Sequence, residues 1–214
     1  MERTCFYLRL FPGTENEFDR RMAEIAVAVV AAIRRSGLRN LTAFRRGTDA
    51  WTYAECEPDA PSALAAYLAD AAIAGWHASL ATVVAEMTAL DGRLLTYNEV
   101  FHANAGGAGP FERGMFGLVV APERIAEYDV RHADPWPEMM SALDVSGFHN
   151  YSGFRRGSHI VYYGEFYPDM ATAVAAIGAT DANRRWSKAF AGIITTITDE
   201  EGALITPSEV LHLD

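Results

Sequence analysis

The chain has 214 residues, of which 50% are apolar and 21% charged, a balance typical of globular proteins. Its formal net charge of −10 argues against nucleic acid and anionic membrane surfaces as partners, because both would repel an acidic protein. No apolar run approaches the roughly 20 residues that span a bilayer, and the N-terminal segment is typical of a strand and not of a leader peptide. These features predict a cytoplasmic protein.

The chain aligns with itself without a gap when Phe6 is placed on Phe116, which indicates a tandem repeat. Aligned identities include Glu17 with Glu127, Ser36-Gly37 with Ser146-Gly147, Phe44-Arg45-Arg46-Gly47 with Phe154-Arg155-Arg156-Gly157, Trp76 with Trp186, and Glu99-Val100 with Glu209-Val210. We predict two related domains, 1–102 and 115–214. A linker rich in glycine and alanine, 103–114, joins them.

The residue pattern predicts the same order of elements in each repeat. The segments are an opening strand (4–11 and 115–121), one long amphipathic helix (15–35 and 124–145), a hairpin turning at 46–49 and 156–159, a helical region through Trp76 or Trp186, and a last strand (94–102 and 204–212). The order βαββαβ predicts an α+β domain of ferredoxin-like type. Because one face of such a sheet needs a cover, we expect the two halves to close into a pseudo-dimeric α/β barrel within a monomeric chain.

The two repeats differ at positions that could carry chemistry. Tyr128, His132 and Tyr151 of the second repeat align with Phe18, Met22 and Leu41 of the first. The framework therefore does not require these polar groups, and a site is predicted in the second repeat. Tyr128 and His132 share a helix face, being four residues apart. Trp186 is kept as Trp76, so packing and binding roles both stay open for it; Trp76 and His77 leave open a separate pocket in the first repeat.

The second repeat resembles the L-rhamnose mutarotase family. The matching residues are Tyr128-x-x-Arg131-His132, Trp136-Pro137-Glu138, Gly147-x-x-Asn150-Tyr151, Arg185-Trp186 and Glu209-Val210-x-His212, which together span almost all of that repeat. The first repeat is similar in framework only. Where the family usually has two consecutive tryptophans, this chain has Trp186-Ser187, so one aromatic wall is missing.

The resemblance implies a cofactor-free isomerase, an aldose 1-epimerase that interconverts the α and β anomers of L-rhamnose. It implies His132 as the proton donor and Tyr128, Tyr151 and Trp186 as substrate contacts, with no cofactor and no metal. The family generally forms homodimers of the single domain, and the fused halves resemble a covalent version of that dimer. A sugar-like small molecule is the implied partner.

The chemistry of these residues agrees with that implication in outline. Histidine titrates near neutrality, so His132 is expected to exchange protons with a sugar without a large pKa shift. Two alternatives stay open on the residues alone. One is a recruited cofactor-free isomerase or cyclase acting on a larger, polyketide-like intermediate. The other is a non-catalytic module that binds a ligand or a partner.

Overall fold

The computed structural model describes residues 1–104, 109–197 and 204–214; residues 105–108 of the predicted linker lie outside this description. One order of elements occurs twice. The first repeat has β1 (Glu2–Leu10), α1 (Glu15–Ala23), α2 (Val27–Arg35), β2 (Leu38–Arg46), β3 (Asp49–Cys56), α3 (Ala60–Ala69), α4 (Ala71–Leu80), β4 (Val84–Glu86) and β5 (Leu95–Ala103). The second has β6 (Glu112–Val120), a 3₁₀ turn (Pro122–Arg124), α5 (Ile125–Ala133), α6 (Pro137–Val145), β7 (Phe148–Arg156), β8 (His159–Phe166), α7 (Met170–Gly178), α8 (Asp181–Ala189), β9 (Ile194–Thr196) and β10 (Ser208–Leu213). The predicted tandem duplication of an α+β domain is confirmed.

The single long helix predicted after the first strand is wrong in both repeats, because each has two short helices there, although the two prolines of the second repeat do indicate its break. In the second repeat, Pro135 and Pro137 stop α5 and restart the chain as α6, as proline does when it removes a backbone donor. The first repeat breaks at the same place without a proline. Ala26 adopts an extended conformation (φ −67°, ψ 142°), and Ile25 packs against the core. Packing thus overrides the helix propensity of the apolar run.

The second short helix of each repeat, α2 or α6, ends just before the glycine predicted to terminate it. Gly37 follows α2 with φ +89°, and Gly147 follows α6 with φ +84°, a region that favours glycine. A Cβ added at Gly37 would collide with the carbonyl oxygen of Glu57. The turn therefore fixes where the following strand begins.

The chain divides into two compact units. The first unit comprises 1–97 and 208–214, and the second comprises 98–207. In the first unit the antiparallel strand order is β10-β2-β3-β1, with β4 and the start of β5 against β1. In the second unit the order is β5 (from Asn98)-β7-β8-β6-β9. The last strand of each repeat therefore belongs to the unit built mainly from the other repeat.

Each unit has its own hydrophobic core on one face of its sheet. Alternate residues of a strand face the same side, so Phe6, Leu8 and Leu10 of β1 meet the helices of the first unit. Phe116, Leu118 and Val120 of β6 do the same in the second. Cys5 and Cys56 are buried and unpaired by disulfide. Among the described residues, no helix is long and apolar enough to cross a membrane.

Candidate functional site

A cavity of about 460 Å³ lies in the second unit, between its helices and its sheet. All of its described lining residues belong to the second unit. The lining includes Phe101, Phe116, Leu118, His132, Met139, Leu143, Phe148, Tyr151, Tyr162, Val174, Ile177, Asn183, Trp186, Ser187 and Phe190. The volume falls within the usual range for small-molecule sites.

His132 is a buried residue of α5 whose two ring nitrogens both have partners. Its Nδ1 lies 3.1 Å from the carbonyl oxygen of Tyr128, one helical turn earlier. Because a carbonyl oxygen only accepts, we assign the proton of the neutral ring to Nδ1. Nε2 is then an acceptor, and the Tyr162 hydroxyl donates to it at 2.7 Å. The Tyr128 hydroxyl in turn donates to the Tyr162 oxygen at 2.6 Å.

Burial sets the protonation states of this chain of hydrogen bonds. It lowers the pKa of His132 to about 4, only partly opposed by the bond to the Tyr128 carbonyl. The expectation that His132 titrates near neutrality is therefore wrong, since the ring is neutral at pH 7. Burial also raises the pKa of Tyr162 and of Tyr128 well above the ordinary tyrosine value. Both hydroxyls keep their protons at neutral pH, so the neutral imidazole is the base in the group.

Tyr151 reaches the cavity because β7 carries a bulge directly before it. Asn150 has φ 42°, and the register of β7 against β8 shifts between His149 and Ser152. The Asn150 side-chain amide donates to Glu165 Oε1 at 3.0 Å, which fixes the bulge. Such bulges re-aim side chains. The Tyr151 ring stacks on Tyr162 with centroids 5.1 Å apart, and no partner for its hydroxyl is found within the part of the chain that is described.

Trp186 lies on α8, which Thr180 caps by accepting from the Asn183 backbone at 3.1 Å. The Trp186 ring meets His132 edge to face, with centroids 5.5 Å apart. It meets Trp136 in the same way at 5.2 Å. Asn183 lies one turn before Ser187 on the same helix, and both border the cavity beside Trp186.

Both repeats match the family model described as L-rhamnose mutarotase, over residues 3–103 and 113–212. The chain belongs to the L-rhamnose mutarotase family. It is 29% identical to the L-rhamnose mutarotase of Oceanobacillus iheyensis over 103 residues, which is 48% of this chain and 99% of that protein. Membership in this family supports an isomerase-type enzyme that interconverts sugar anomers.

Two solved structures resemble the whole chain at low sequence identity. A proposed monooxygenase from Lactobacillus acidophilus NCFM has a TM-score of 0.60 and 8% identity, and the match covers 100% of each chain. An anthrone oxidase-like protein has a TM-score of 0.52 and 11% identity, covering 100% of this chain and 92% of that one. At such identities the likeness shows the fold alone.

The four residues that the L-rhamnose mutarotase resemblance selected are brought together in the second unit. His132, Tyr151 and Trp186 line the cavity, while Tyr128 lies behind Tyr162 and contacts it through its hydroxyl. Tyr162, which joins His132 to Tyr128, was not predicted from the sequence. The same signal was available, because Tyr162 aligns with Thr52 of the first repeat.

The corresponding space in the first unit is almost filled. Its cavity measures about 30 Å³, roughly the share of one water molecule in the liquid. Tyr67 occupies part of this space, and its hydroxyl lies 2.9 Å from His77 Nε2. Trp76 and His77 border this small cavity, so the pocket left open for them offers no room for a sugar.

Proposed function

We propose that the cavity of the second unit is the active site of a cofactor-independent isomerase that interconverts the anomers of L-rhamnose or a related aldose. The observation that carries the proposal is the buried hydrogen-bonded series Tyr128–Tyr162–His132, which ends at the wall of a cavity large enough for a sugar. Family membership supports the same reaction class. Proton transfers alone accomplish this reaction.

Ring opening requires one proton to leave the anomeric hydroxyl and one to reach the ring oxygen. The Tyr162 oxygen takes the anomeric proton as its own proton passes to Nε2 of His132, 2.7 Å away. The Tyr151 hydroxyl donates to the ring oxygen, the bond between that oxygen and the anomeric carbon breaks, and an aldehyde forms. Rotation about the adjacent carbon–carbon bond turns the aldehyde over, and closure returns both protons. His132 is then the proton donor of the closing step.

The remaining walls would hold the sugar in place. The exposed part of the Trp186 indole offers a flat surface for the C–H face of the ring. Asn183 and Ser187 offer hydrogen bonds to hydroxyls beside it. On this proposal the repeat at 1–102 is structural, and the repeat at 115–214 carries the chemistry.

The test is magnetisation transfer between the anomeric protons of L-rhamnose, with L-fucose and D-glucose alongside. Wild type would be compared with His132→Gln and with the matched control His77→Gln in the first unit. We expect His132→Gln to lower the exchange rate by about 10²–10⁴-fold, because general acid–base catalysis contributes that much. The control should keep the wild-type rate.

Two results would contradict the proposal. One is a folded wild type, by circular dichroism, that catalyses no exchange of any of the three sugars. The other is a His132→Gln protein as active as wild type, which would move the chemistry away from the cavity.

A further inference from the structure

The hydrogen-bonding capacity of the cavity wall is concentrated at one place. Both ring nitrogens of His132 are already engaged, and the proton of Tyr162 is directed to Nε2. Within the described wall, the side chains with polar groups left for a ligand are Tyr151, Asn183, Trp186 and Ser187, with one lone pair on Tyr162. Tyr162 is bonded to His132, Tyr151 stacks on Tyr162, and the other three side chains lie on α8.

Most of the remaining wall is apolar. Leu118 of β6, Leu143 of α6, Phe148 of β7 and Ile177 of α7 carry no polar side-chain atom. A free monosaccharide has hydroxyls around its whole ring. Those facing this wall would lose their water without gaining a partner, which costs free energy for each group. An apolar body in the same place would gain free energy by burial.

The first unit shows how the extra space arises on the same framework. Tyr67 aligns with Ile177, Leu68 with Gly178, and both pairs lie on the corresponding helices α3 and α7. A Cβ added at Gly178 would meet no atom within 4 Å. Smaller side chains on α7 therefore accompany the open cavity, at about 460 Å³ against 30 Å³.

We infer that the substrate of this site is a reducing sugar that carries an apolar body, such as an aryl or alkyl ether, away from its anomeric carbon. The inference rests on the proposed function, since the anomeric carbon is placed beside Tyr162. The sugar ring lies against Trp186, Asn183 and Ser187. The apolar body fills the space between α6, α7 and the sheet of the second unit.

The test compares L-rhamnose with its 2-O-, 3-O- and 4-O-benzyl ethers. Binding would be measured by calorimetry and anomer exchange by magnetisation transfer. We expect at least one ether to bind about tenfold or more tightly than L-rhamnose, the gain from burying a phenyl group. Ile177→Tyr, which introduces the first repeat's residue, should remove most of this preference by filling the cavity. Ile177→Val is the matched control and should keep it.

The outcomes separate this inference from the proposed function. If L-rhamnose exchanges readily and all three ethers bind no better, the inference is overturned and the proposed function stands. If an ether binds tightly but neither L-rhamnose nor any of its ethers shows anomer exchange, the proposed function is overturned and an apolar ligand is supported. A preference that survives Ile177→Tyr unchanged would also overturn the inference, because the apolar body would then lie elsewhere.

Discussion

The two units share a framework and differ in what occupies the space between helices and sheet. The same bulge follows Asn40 and Asn150, with φ 47° and 42°, and the same ion pair joins Asp19 to Arg45 and Asp129 to Arg155. Four side chains that line this space or lie directly behind its wall have changed. Tyr128 is replaced by Phe18, His132 by Met22, Tyr151 by Leu41 and Tyr162 by Thr52.

The differences between the units show which residues the fold requires. The first unit buries Phe18 and Met22 where the second buries Tyr128 and His132, so an apolar packing exists for these positions. A buried imidazole with a pKa of about 4 and the buried hydroxyls of Tyr128 and Tyr162 carry a desolvation cost, which Phe18 and Met22 avoid at two of these three positions. Retaining all three together, hydrogen-bonded to each other, is what a proton-transfer site needs.

After the His132 substitution, the largest expected effect on catalysis comes from removing the hydroxyl of Tyr162, where the first repeat has Thr52. Tyr162→Phe should lower the anomer exchange rate by about 10²-fold, because the proton path to His132 is broken. Tyr163→Phe is the matched control: its buried hydroxyl contacts Glu165, 3.1 Å away, and it does not line the cavity. Magnetisation transfer on the preferred sugar would measure both. Equal rates for wild type and Tyr162→Phe would mean that the sugar meets His132 directly.

A second prediction concerns the pH dependence of stability, because the second unit buries His132 where the first unit buries Met22. The pKa of His132 is about 4 in the folded chain and about 6.5 in the unfolded one, so the unfolded state binds more protons between these values. Stability is full above pH 6.5 and falls as pH drops toward 4. We expect wild type to lose about 2 kcal/mol more than His132→Met between pH 7 and pH 5.

The measurement is urea unfolding of both proteins in a background of Trp51→Phe and Trp76→Phe. Fluorescence then reports on Trp136 and Trp186 of the second unit. Other titrating groups cancel in the difference between the two proteins. A pH dependence identical in wild type and His132→Met would show that His132 is not desolvated as the geometry implies.

Much of this architecture could be predicted from the repeat. Aligning Phe6 with Phe116 identified the duplication, and the His132 and Met22 difference pointed to the unit with the open cavity. Tyr162 was not predicted because aromatic residues in a strand are expected to pack in the core. It was also not compared with Thr52, the aligned residue of the first repeat. The break of the first helix at Ala26 had no proline to signal it.

The strand partners could not be predicted for a different physical reason. Glu99-Val100-x-His102 and Glu209-Val210-x-His212 are nearly identical, so each last strand fits either sheet edge. His212 Nδ1 lies 3.0 Å from Thr42 Oγ1, and His102 Nδ1 lies 2.9 Å from Ser152 Oγ, which are equivalent contacts. A periodic pattern specifies a strand and its buried face, whereas equal edges leave the pairing undetermined.

The smallest expected effect concerns an ion pair that both units share. Arg155 holds Asp129 of α5 with two hydrogen bonds of 2.8 and 2.7 Å, and Arg45 holds Asp19 of α1 in the same way. Arg45→Gln and Arg155→Gln should each lower the free energy of unfolding by about 1 kcal/mol, the usual worth of a partly buried bidentate pair. Urea unfolding would follow Trp51 and Trp76 for the first variant, and Trp136 and Trp186 for the second.

The equality of the two losses is the point of this measurement. If the ion pair serves only the shared framework, joining a helix to the bulged strand beside it, both variants should keep the wild-type exchange rate within about twofold. An Arg155→Gln protein that loses its activity but no more stability than Arg45→Gln would make this arginine a positioning residue for the reaction. The pair would then hold α5 and β7, which carry His132 and Tyr151, at a spacing that the reaction requires and folding does not.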